Sequence, residues 1–162
     1  MDVKILIVAT AILLLLQMYL RYKRSVLPAM GLAFLAALTW TTYYRYEYVG
    51  ENMLLLDRIN VYPLTLWTLG LTTLYVAHTH MRIFRHPLMI TLLHVAGLAA
   101  IEMIGYHLLH VRIDDNFTSL LGLGVIHAPL KMKVFYVIAG PIYIFAIDIY
   151  QKMYAPLRRK RT

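Results

Sequence analysis

Charge in this chain is confined almost entirely to the gaps between five long apolar runs, and that sorting limits the fold more than any other feature. All 16 Lys and Arg fall between the runs or at their ends, as do the acids other than Glu102 and Asp148. A helix needs roughly 20 apolar residues to cross a bilayer. The runs, at about 3–20, 26–44, 61–77, 88–109 and 134–150, each approach that length. They predict an all-α membrane protein, a five-transmembrane-helix bundle filling residues 1–162 as a single integral membrane domain. With 60% hydrophobic residues and a mean hydropathy of +0.63, no water-solvated surface can be built. Chemistry is therefore expected inside the bundle or at its two rims.

Cysteine is absent, which excludes a disulfide framework, a thiolate nucleophile, thiolate-held zinc and iron–sulfur clusters. The first run is followed, not preceded, by its stronger basic cluster, Arg21, Lys23 and Arg24, so it reads as a retained anchor and not a cleaved leader. Cations also sort by side. Arg21, Lys23, Arg24, Arg82, Arg85, Lys152 and the tail Arg158-Arg159-Lys160-Arg161 share one side. Lys4, Arg45, Arg58, Arg112, Lys131 and Lys133 share the other, where Asp2, Glu47, Glu51, Asp57, Asp114 and Asp115 cancel them. The positive-inside rule then puts the N-terminus outside and the C-terminus in the cytoplasm, with the plasma membrane as the expected location. The basic tail reads as an orientation signal, so nucleic acid is not an expected partner. The bilayer is, along with a membrane protein partner or a second copy. Tyrosines cluster at run ends, as interfacial belts do, and only Tyr143 falls well inside.

Ionisable groups in hydrocarbon cost roughly 2.5–3.5 kcal/mol each and imply partners. On the fourth run Thr91, His94, Leu98, Ile101, Glu102, Gly105 and Tyr106 share one arc at 100° per residue, which should face the interior. Ala96, Gly97, Ala100 and Gly105 are small enough to admit a neighbouring backbone. The arc is either a polar track or a set of interhelical hydrogen bonds that fix packing. His94, Glu102 and Asp148 are the intramembrane polar candidates. Depth allows a His94–Asp148 contact, although Asp148 also sits one turn from Lys152. Glu102 lies level with Thr41 and Thr42, and Arg45 can snorkel towards it.

Glu102, Tyr106, His107 and Arg45 form a candidate catalytic or binding set at the outer rim. His107, His110 and His127, with Asp114 and Asp115 nearby, are the residues that would hold a divalent metal, but no H-E-x-x-H motif supports one. A b-type haem needs two facing axial histidines, and His78 would have to tilt inward to meet His94. No cofactor is assigned. The apolar stretch 119–126 in the long fourth connection is too short to span, so an interfacial or re-entrant segment is expected there, next to an Asn116-Phe117-Thr118 sequon.

Three functions fit these residues. The first is a small accessory or assembly partner of a membrane complex. The second is a membrane-embedded enzyme, or a lipid- or quinone-binding protein, with an outer-rim polar site around Glu102. The third is a small transporter or proton-coupled subunit using His94, Glu102 and Asp148.

Overall fold

A computed structural model describes residues 3–43, 48–49, 54–57, 59–110, 112–113, 118–119, 122 and 124–159. Five α-helices dominate it: α1 (Val3–Tyr22), α2 (Leu27–Tyr43), α3 (Val61–His80), α4 (Pro87–Met103) and α5 (Leu130–Arg159). Arg45, Asp114, Asp115 and Asn116 lie outside the described residues.

Single 3-10 turns join α1 to α2 over Lys23–Ser25 and α3 to α4 over Arg82–Arg85, at one end of the bundle. The opposite end carries the longer α2–α3 and α4–α5 connections. There two-residue strands β1 (Tyr48–Val49), β2 (Leu55–Leu56), β3 (Ile59–Asn60) and β4 (Arg112–Ile113) pair antiparallel, β2 with β3 and β1 with β4. The β1–β4 ladder ties the two long connections together, which apolar periodicity cannot foretell. Asn60 then caps α3 by accepting from the Tyr62 backbone N–H at 3.1 Å. His86 caps α4 in the same way through Leu88, with Pro87 supplying a first-turn residue that has no N–H to satisfy.

α1, α4 with its extension to Leu108, and α5 to Met153 are long and apolar enough to cross a membrane. α2 is apolar but short, with its apolar stretch at Leu27–Thr42. α3 is long but less apolar, and it is the central helix, packed on α1, α2, α4 and α5. Its Thr65, Thr68, Thr72, Thr73 and Thr79 each donate to the carbonyl four residues back, which satisfies the hydroxyls without outside partners.

Two apolar clusters fill the interior. Towards the short-turn end Val26, Ala29, Leu71, Leu74, Ile144 and Ile147 close around Tyr143, whose hydroxyl donates to the Ala29 carbonyl at 2.9 Å. Towards the other end Trp40 stacks on Phe135 at 3.7 Å and sits with Ile126, Ala128, Met132 and Tyr136.

Three expectations change here. α5 begins at Leu130 and runs unbroken through Gly140-Pro141 to Arg159, well beyond the apolar run at 134–150. Tyr62, Tyr75 and Tyr136 belong to the packed interior and not to an interfacial belt. The small residues of α4 do not all admit a neighbour: Gly97 has no atom within 4 Å of where a Cβ would sit. The close approach is at Gly140 on α5, where an added Cβ would overlap the His94 side chain.

Candidate functional site

α4 does not end in an ordinary turn. Leu109 N–H bonds the Ile104 carbonyl five residues back at 3.1 Å, so Ile104–Leu108 forms one π-helical turn, a geometry frequent at functional sites. The wider turn carries Tyr106 and His107 to the returning α4–α5 connection. His107 donates from Nε2 to the Gly124 carbonyl at 3.1 Å, and Tyr106 stacks on the His127 ring at 4.0 Å. Glu102, one turn earlier, accepts from the His127 backbone N–H at 2.5 Å, with His127 Nδ1 at 3.4 Å from the same oxygen.

These three contacts hold residues 124–128 inward. Ile126 and Ala128 are each only 2% exposed, although Ile126 adopts φ of +55°, a conformation that β-branched residues rarely take. Burial in the aromatic cluster and the bonds on either side over-determine it. The end of the apolar stretch thus folds back into the bundle. Leu120, Leu121 and Leu123 lie outside the described residues.

Beside this anchored segment α3 faces α4, and the Trp67 and His94 ring centroids lie 6.1 Å apart. Around them lies a cavity of about 380 Å³, lined mostly by apolar side chains such as Leu66, Leu98 and Ile101. Gly70 and Gly97 face it from opposite walls, each with no atom within 4 Å of its Cβ position, so two absent side chains help to make the space. Glu102, Tyr106, Tyr62 and Ile126 also line it. That volume lies in the range of small-molecule sites, which pair apolar walls with a few placed polar groups.

The deep polar residues go to separate partners. His94 is buried and donates from Nε2 to the Tyr136 carbonyl at 2.8 Å, an interhelical bond from α4 to α5. Asp148 pairs with neither His94 nor Lys152. It faces His78 Nε2 at 3.6 Å across α3 and α5, while His78 Nδ1 donates to the Phe84 carbonyl. His78 therefore turns to Asp148 and Phe84 instead of tilting towards His94. Thr41 and Thr42 do not serve Glu102 either, because their hydroxyls bond carbonyls of α2 itself. The partner of Glu102 is His127, which the sequence reading placed in a metal set. His110 is exposed, and no cluster of three or more His, Asp or Glu gathers among the described residues.

Sequence reasoning set Tyr62 aside as an interfacial ring. Its position two residues after a capping Asn puts it in the first turn of the central helix, where it is buried. No family model, curated protein or solved structure matches this chain.

Proposed function

We propose that this is a small multi-pass membrane protein that binds a lipid- or quinone-type amphiphile in the α3–α4 cleft. The observation that carries the reading is the apolar cavity with Glu102 and Tyr106 in its wall. The assembly-partner reading rests on the lack of reactive groups, whereas the cavity is a positive feature with the size and lining of a binding site. A ligand chain would lie against Leu66, Leu98 and Ile101, with its head towards Glu102.

Gly97→Leu tests the proposal. The new side chain enters open space and replaces a helix-weakening glycine, so folding is retained or improved by up to about 1 kcal/mol. Lipids extracted from the purified protein and identified by mass spectrometry should include an amphiphile that is depleted in the variant. Identical lipid profiles from the two proteins refute the binding role.

We further propose five membrane crossings with the N-terminus outside and the C-terminus in the cytoplasm of a plasma membrane. The support is the basic short-turn end, with Arg21, Lys23, Arg82 and Arg85, against the charge-balanced long connections. A reporter that works only in the cytoplasm should be active when fused after Thr162. Activity of an externally restricted reporter at the same position reverses the orientation.

A further inference from the structure

The wall of the cleft contains a polar atom that folding alone does not use. Tyr62 is 6% exposed, yet its hydroxyl has no hydrogen-bond partner among the described residues. Buried polar groups are almost always satisfied, and an exception calls for a reason. Tyr62 and Glu102 approach the same end of the cavity. Trp67 and His94 define a common level. On antiparallel helices rising about 1.5 Å per residue, Tyr62 and Glu102 lie beyond that level in the same direction, roughly one turn apart in height. Glu102 has its Oε1 engaged by His127, and among the described residues Oε2 accepts no hydrogen bond.

We propose that Glu102 and Tyr62 form the head-recognition pair of the cleft, and that its ligand is a neutral, hydroxyl-headed molecule with an apolar body. This deepens the binding reading above and rests on it. A hydroxyl is both a donor and an acceptor. It donates to Glu102 Oε2 and accepts from the Tyr62 hydroxyl, both residues lining the same cavity. An ammonium head has no acceptor and leaves the Tyr62 O–H without one. A carboxylate or phosphate head brings acceptors only and gives Glu102 Oε2 no donor. Hydroxyl heads occur on quinols and on long-chain or lipid alcohols, and the same pair serves both.

The experiment uses the full chain in lipid nanodiscs with a diazirine-bearing hexadecanol, its methyl ether and its primary amine analogue, mapping crosslinks by peptide mass spectrometry. The alcohol should label α3 and α4 around the cleft about tenfold more efficiently than the ether, the size of one hydrogen bond to a charged group. Tyr62→Phe and Glu102→Gln should reduce that preference while labelling by the ether persists. Tyr62→Phe should also raise the melting temperature in the absence of probe, since it removes an unpartnered buried hydroxyl. A tyrosine serving only structure would lose stability instead. Competition by decylubiquinol but not by diacylglycerol assigns the head to quinols, and the reverse assigns it to lipid alcohols. Equal labelling by alcohol and ether, or preference for the amine, overturns the head assignment and leaves the cleft as a binding site. No cleft labelling by any probe overturns the binding reading itself.

Discussion

Gly140→Ala should destabilise the bundle severely, on the order of 3 kcal/mol or more, seen as a melting temperature in detergent lower by about 10 °C. The added methyl group would come within 3.0 Å of the His94 Cβ, Cγ and Cδ2 atoms, closer than real Cβ atoms approach. Those atoms cannot simply move, because the His94 ring is held by its Nε2–H···O bond to Tyr136 at 2.8 Å, one turn before Gly140 on α5. Driving the ring away leaves the buried His94 donor without a partner, at a cost of roughly 1–3 kcal/mol. Adding His94→Ala should recover much of the loss, because the overlap disappears with the ring. A double-mutant cycle reads that coupling directly. Wild-type stability in Gly140→Ala alone would show that α4 and α5 do not pack in this way.

Glu102→Leu should have the second large effect. It removes the acceptor of the His127 N–H and the negative partner of the His127 ring in one step. A hydrogen bond contributes about 0.5–1.5 kcal/mol, and the stranded N–H adds a desolvation cost of roughly 1–3 kcal/mol. The loss concentrates on residues 124–128, which are otherwise held by His107, by Tyr106 and by burial of Ile126. Protease cleavage within the α4–α5 connection should rise sharply, more than the fall in global stability accounts for. Glu102→Gln keeps an acceptor oxygen and should cleave nearly as slowly as the wild type. Equal resistance in the Leu variant would mean that the carboxylate does not anchor this segment.

Much of the architecture was legible in one dimension. The apolar runs correspond to helices because a 3.6-residue period and a length near 20 are local properties of the chain. Confinement of charge to the gaps follows from the cost of burying it. The polar arc of α4 was readable in part: helical geometry puts Thr91, His94, Leu98, Ile101, Glu102, Gly105 and Tyr106 on one side, and all but Thr91, which bonds the Pro87 carbonyl of its own helix, line the cleft. Leu92 and Met103, off that arc, are more than half exposed.

Partner identity was not readable, for a physical reason. Residue type and depth restrict which groups can meet, but they do not set the rotation of one helix against another. Asp148 had His94 and Lys152 within range of its depth, and the rotation of α5 against α3 gave it to His78. Glu102 had the hydroxyls of α2 at its level, but those threonines satisfy themselves on their own helix, and a backbone N–H from 25 residues onward took the place. Glycine misled in a similar way. A small residue permits close approach without requiring it, so Gly97 borders open space while Gly140 receives His94. The approximate positions of the helices were set by the sequence acting locally. The cleft was decided only in three dimensions, because a cavity is a place where two helices fail to meet, and no single segment encodes that distance.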